Sequence, residues 1–314
     1  MKKIKAHALK KGDKIGVVSP ASKPSDEEKY YKGIEYLQQL GYDVVHGKSV
    51  LSERGYLAGF DEDRISDINE MFANPDIRAI FCSRGGYGAP RILDDIDYKT
   101  IRKNPKIFIG YSDITTMNLG IYARSGLVTF SGPMVAVEMG GGINEFSERS
   151  LWENLTNSEP GRELRNPDEV QLRVIKDGGA EGVVIPGCFS VFSALLGSPY
   201  VPDLKGAILV LEDIEEDPYR IDRYFAQLKI SGILDAIGGI VLGQFIDCVP
   251  KDNSKPTLST EEIIWDYVKD LNIPVVSDFA YGHGMIKLTL PIGVRVRLDT
   301  SRDYLQLLEP TVKE

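Results

Sequence analysis

Short apolar runs alternate with amphipathic segments along the first half of the chain, a rhythm that predicts a parallel sheet covered by helices. Lys14–Ser19, Tyr42–His46, Ala79–Cys82 and Lys106–Ile109 read as strands. Between them, Ser25 and Glu28 offer a capping box for a helix through Leu40, which Gly41 stops. Asp61 caps a second helix through Ala73, with Ile65, Ile68 and Phe72 along its apolar face. A third helix starts around Asp113 and carries Ile114, Met117 and Ile121 on one side.

From Asn154 to Gly179 the pattern weakens, and Pro160, Gly161, Pro167 and Gly178-Gly179 mark an interdomain linker. The expected division is a domain over 1–160, a linker over 161–179 and a second domain over 180–314. In the second domain Val183–Pro186, Ala207–Leu211, Gly239–Leu242 and Val275–Val276 read as buried strands, and Ile292–Leu298 alternates like one more. Phe189–Leu196, Tyr219–Ile230 and Glu261–Leu271 have helical character. No internal repeat is visible. The fold class expected is therefore α/β in two units.

Ligand sites in parallel sheets lie beyond the carboxyl ends of the strands. Three loops meet that description: Ser19-Pro-Ala-Ser22, Ser83-Arg-Gly-Gly-Tyr-Gly88 and Gly110-Tyr-Ser-Asp113. In the last, an apolar strand runs into a glycine and then a serine at the start of a helix. A serine on such a turn projects its hydroxyl past the sheet beside free helix N–H groups, the place for an acyl-transfer nucleophile. Ser-Asp at a helix start is equally the pattern of ordinary N-capping.

Composition narrows the chemistry. The 314 residues suffice for two domains, and no apolar run approaches the roughly 20 residues that cross a bilayer. The basic N-terminal stretch lacks an apolar signal core, so the expected location is the cytoplasm. A net charge of −9, from 37 basic and 46 acidic side chains, disfavours a nucleic-acid or anionic-membrane binder. Cys82, Cys188 and Cys248 cannot all pair and have no C-x-x-C spacing, and the three histidines form no H-E-x-x-H pattern. No disulfide framework, metal or cofactor is expected.

A serine nucleophile needs a base, itself oriented by a third group. His7 lies in a polar segment that faces solvent, and His46 ends a strand and can face either way. His283 sits between glycines in Tyr281-Gly-His-Gly284, which keeps its ring accessible, as a plain surface turn also does. Glu212 follows Ile208, Leu209, Val210 and Leu211 and should emerge at a strand's end, where it can hold an imidazole; it also begins an acidic loop. The glycines at 85, 86 and 88 suit a phosphate, an oxyanion or a tight turn, without dinucleotide or P-loop spacing.

Taken together, these stretches resemble the LD-carboxypeptidase family of serine peptidases. The likeness rests on Gly12-Asp-Lys-Ile-Gly-Val-Val-Ser-Pro-Ala-Ser22, Arg84-Gly-Gly-Tyr-Gly88, Gly110-Tyr-Ser-Asp-Ile114, Leu211-Glu-Asp213, Pro218-Tyr-Arg-Ile-Asp-Arg223, Gly282-His-Gly284 and Leu290-Pro-Ile-Gly293, which run in family order. The resemblance implies a flavodoxin-like N-terminal domain, a smaller mixed α/β C-terminal domain and an active site in the cleft between them. It implies a triad of Ser112, Glu212 and His283, with an oxyanion hole from the main-chain N–H groups of Gly86 and Asp113. It further implies a cytoplasmic homodimer that removes the terminal D-alanine from murein tetrapeptides during cell-wall recycling.

Arg84 and Tyr87 are candidates for substrate binding, Arg84 as a donor to a terminal carboxylate. One departure stands out: Gly187-Cys-Phe189 replaces the family's Gly-Gly-Asn, and Phe189 is expected to reshape the neighbouring pocket. Two other activities fit the same motifs. One is a relative cleaving microcin C-like peptide–nucleotides, and the other is a non-catalytic muropeptide binder.

Overall fold

A computed structural model describes residues 2–252 and 254–314. Five parallel strands open the chain: β1 (Lys14–Val18), β2 (Asp43–His46), β3 (Ile77–Cys82), β4 (Ile107–Ile109) and β5 (Thr129–Ser131). They lie in the order β2-β1-β3-β4-β5, the doubly wound arrangement of flavodoxin-like sheets. Three of these strands, β1, β3 and β4, send their carboxyl ends into the three loops singled out above.

Nine further strands follow: β6 (Glu163–Arg165), β7 (Arg173–Lys176), β8 (Gly179–Cys188), β9 (Ile208–Ile214), β10 (Gly239–Ile246), β11 (Val275–Ser277), β12 (Leu290–Ile292), β13 (Arg295–Asp299) and β14 (Tyr304–Leu307). Eight of them make a second sheet in the order β6-β14-β13-β8-β9-β10-β11-β7, parallel from β8 to β11 and antiparallel toward both edges. The exception is β12, which crosses back to pair antiparallel with β5 as the sixth strand of the first sheet.

Two expectations change here. The segment Ile292–Leu298 is two strands in different sheets, broken at Gly293 with φ +95°, where a Cβ would fall 2.2 Å from the Tyr122 ring. The stretch 161–179 carries β6 and β7, both paired into the second sheet. Caps shift too. Asp26, not Ser25, accepts from the Lys29 N–H to start the helix Glu27–Gln39, and Phe60 stands at the N-cap of Asp61–Ala73. Asp61 is freed to pair with Arg64 and Arg91.

The core runs through both units. Leu93, Met117 and Ile121 of the first share a buried cluster with Phe189, Phe192 and Phe225 of the second. On the other side Ile109 and Phe130 share one with Val184, Val210 and Tyr281. Among the described residues no helix is long and apolar enough to cross a membrane.

Candidate active site

Ser112 stands where β4 ends, on a single turn (Ser112–Ile114) leading into the helix Thr115–Ser125. Its φ is +64°, a left-handed conformation that costs a non-glycine residue about 1–3 kcal/mol. Surrounding contacts hold it there. Gly110 passes so close to Ile114 and Cys82 that a Cβ would come within 2.9 and 3.0 Å of them. The amide of Asn118 donates to the carbonyls of Gly110 at 2.7 Å and Phe130 at 3.2 Å. A strained serine between a parallel strand and a helix is the geometry of a nucleophile elbow.

The loop after β3 lies directly on this turn. A Cβ on Gly85 would sit 2.8 Å from the Ser112 Cβ and 3.1 Å from its Oγ. Gly86 takes φ +105°. Asp113 ties the loop down: its buried carboxylate accepts from the Ala89 N–H at 2.8 Å and also from Gly88, while burial pushes its pKa up to about 6. The N–H groups of Gly86 and Asp113 donate no hydrogen bond among the described residues.

Two supports of this loop escaped the sequence reading. Arg64 is fully buried and donates to the carbonyls of Pro20 and Gly88, joining the loops after β1 and β3. Ser22 accepts from the Tyr87 N–H at 3.2 Å. An arginine on the inner face of an amphipathic helix was the available signal for the first.

From the second sheet comes Glu212, on β9 in register with Cys188. Its strand continues to Ile214, so Glu212 lies within the strand rather than at its end. The side chain is 1% exposed, and its Oε2 is 2.7 Å from His283 Nδ1. In the tautomer whose Nδ1–H donates to this carboxylate, Nε2 keeps its lone pair and can act as a base. Gly282, at φ +130°, allows the approach, since a Cβ there would lie 2.7 Å from Glu212 Oε2. Gln244 Oε1 accepts from the Gly284 N–H at 2.9 Å and fixes the other flank of the histidine.

The imidazole meets the Ser112 turn through Tyr111, the two rings lying edge-on with centroids 5.0 Å apart. No hydrogen bond joins Ser112 to His283 among the described residues; catalytic bonds of this kind often close only around a substrate. His7 and His46 lie elsewhere, His7 against Glu314 and His46 against Tyr30.

Arg84 is half-buried and has no ion pair among the described residues. Tyr87 is half-exposed, edge-on to Tyr56. Phe189 corrects an expectation. It is 0% exposed, its ring packed edge-on against Phe225 and tilted against Tyr224, so it presents no surface to a pocket. An apolar ring at the start of the helix Phe189–Leu195 gains more from the core than from water. Among the described residues no cluster of three or more His, Cys, Asp or Glu could hold a metal ion.

Residues 15–132 match the LD-carboxypeptidase N-terminal domain, and residues 181–298 match the LD-carboxypeptidase C-terminal domain. A probable murein peptide carboxypeptidase of Bacillus subtilis is 38% identical over 95% of this chain and 92% of its own. The microcin C7 self-immunity protein MccF of Escherichia coli is 30% identical over 97% of this chain and 95% of its own. The solved apo structure of MccF superposes with a TM-score of 0.91, covering 99% of this chain and 100% of that one. The muramoyltetrapeptide carboxypeptidase of Oxalobacter formigenes, 30% identical, superposes at 0.83 over 96% and 100%. Fold and kinship together define a hydrolytic peptidase. The chain belongs to the LD-carboxypeptidase family.

Proposed function

We propose that this peptidase is serine-type and removes the terminal D-alanine of murein tetrapeptides by cutting an L,D bond, in the recycling of cell-wall peptides. The observation that carries the reading is the 2.7 Å bond between Glu212 and His283 on one unit, whose imidazole packs on Tyr111, the neighbour of a serine at positive φ on the other. His283 takes the proton of Ser112 as the hydroxyl attacks the scissile carbonyl. Glu212 holds the imidazole in the required tautomer and stabilises the imidazolium. The unpartnered N–H groups of Gly86 and Asp113 receive the developing oxyanion, each such donor being worth roughly 2.7–4 kcal/mol of barrier. His283 returns the proton to the leaving amine, and water then releases the acyl-enzyme by the same route. Arg84, a half-buried guanidinium with no ion pair among the described residues, is the donor for the substrate's terminal carboxylate.

The likeness to MccF favours a second reading, cleavage of the amide in peptide–nucleotide conjugates related to microcin C. One experiment separates the two. The protein is incubated with an L,D-tetrapeptide, its all-L counterpart and an aminoacyl sulfamoyl nucleoside, and products are identified by mass. D-alanine released from the first substrate alone is expected, with kcat lowered about 10⁶-fold in Ser112→Ala and about 10⁴-fold in Glu212→Gln. Turnover of only the nucleoside conjugate would move the assignment to the second reading. Undiminished turnover in Ser112→Ala would end the serine mechanism.

A further inference from the structure

A buried ion pair lies behind the nucleophile turn, and nothing in the mechanism above uses it. Lys287 and Glu138 pair with side-chain exposures of only 3% and 9%. Glu138 lies on the short helical segment Val135–Met139 that follows β5 of the first sheet. Lys287 comes four residues after His283, in the loop ahead of β12. The pair therefore bridges the two units.

Neighbouring groups reinforce the pair. Tyr111 donates its phenol O–H to Glu138 Oε1 at 2.8 Å, and the Met134 N–H donates to Oε2 at 2.9 Å. The Lys287 ammonium lies 4.1 Å from the centre of the Tyr111 ring, within cation–π range. Burial and Glu138 push the Tyr111 phenol well above its ordinary pKa, which keeps it a donor. The Lys287 backbone N–H donates to Ser147, anchoring the loop itself.

These contacts close a ring. Ser112 follows Tyr111; Tyr111 binds Glu138; Glu138 binds Lys287; Lys287 shares its loop with His283; and the imidazole packs on Tyr111. Nucleophile and base come from different sheets and make no direct bond in this state, so this ring is what sets their separation. A buried pair is weak evidence for stability, because desolvation offsets the attraction. Its position points to registry instead.

We infer that Tyr111, Glu138 and Lys287 act together as positioning residues that hold the His283 loop at working distance from Ser112. The inference rests on the serine reading, and its test is chosen to separate the two. A fluorophosphonate ester is the probe. Ser112 Oγ forms a bond to phosphorus, the P–F bond breaks, fluoride leaves and the hydroxyl proton passes to His283, so the labelling rate reports activation of the serine without depending on the natural substrate.

Removing one partner strands a buried charge and can unfold the protein. The informative variant is therefore Glu138→Gln with Lys287→Met, which removes both charges. It should melt near the wild-type temperature, yet label about 10- to 100-fold more slowly and lose kcat with KM unchanged. Tyr111→Phe should lose part of the rate, and Lys287→Arg should keep most of it. Tyr36→Phe serves as the control; it disturbs the separate Glu148–Trp152 network and should label normally. A folded double variant that labels at the wild-type rate would overturn the inference while leaving the serine mechanism intact. A wild-type protein that does not label at Ser112 would overturn both.

Discussion

Asp113 illustrates how one residue can do two jobs at this site. Its N–H is free for an oxyanion, while its carboxylate is committed to the glycine loop through Ala89 and Gly88. Burial raises that carboxyl to about 6 from an ordinary 3.8, so between those values the folded chain binds more protons than the unfolded one. The contribution is fully present below about pH 4 and is lost as the pH rises through about 6, a difference of about 3 kcal/mol. Asp213, also pushed to about 6, titrates in the same range and cancels when variant and parent are compared. Urea unfolding of wild type and Asp113→Asn at pH 4 and pH 7 should show the smaller pH dependence in the variant. Equal dependence would mean that the carboxyl does not titrate in that range. At this scale the sequence pointed to candidate residues better than to their supports. Ser112, Glu212 and His283 stand in recognisable motifs, whereas Glu138 and Lys287 are single charges in apolar runs (Met134–Met139 and Met285–Leu288). Such isolated charges announce a buried partner without saying which one.

The elements that carry the site are set by close approach as much as by propensity. The loop after β3 and the turn after β4 touch at Gly85, where a Cβ would meet Ser112 at 2.8 Å. Gly85→Ala must move one of them. It should lower kcat about 100-fold while destabilising the protein by only about 1–3 kcal/mol, read by steady-state kinetics beside thermal melts. Wild-type kcat in this variant would show that the loop does not constrain the serine. Strands β1 to β4 were legible as short apolar runs, and the helices Glu27–Gln39 and Asp61–Ala73 by their amphipathic pattern, whereas the three-residue β5 and the helix Glu145–Thr156 went unread. Less legible was the region around β6 and β7. These are short and half-exposed, with burial patterns too shallow to alternate clearly, so prolines and glycines dominated the reading. Likewise, a period of two continues on either side of Gly293, and only the Tyr122 ring occupying the position of its Cβ reveals that the chain changes sheets there.

Across the whole molecule, β12 makes the first sheet depend on the last part of the chain. Its pairing with β5 is reinforced by Ser131 with Tyr281 at 2.8 Å, Ser150 with the Thr289 N–H at 3.0 Å and Asn154 with the Thr289 carbonyl at 3.1 Å. Together with the shared apolar clusters, this predicts one cooperative unfolding transition rather than two. Residues 1–160 expressed alone should expose the edge of β5 and aggregate or remain loosely folded, as measured by near-ultraviolet circular dichroism and light scattering. A monodisperse, well-packed fragment would contradict that. The same threading bears on biosynthesis. While the chain is still emerging from the ribosome, the Ser112 hydroxyl is made long before the His283 imidazole, and the first sheet stays incomplete until β12 has been synthesised. Under the serine mechanism proposed above, products terminated ahead of His283 carry a hydroxyl with no imidazole to deprotonate it.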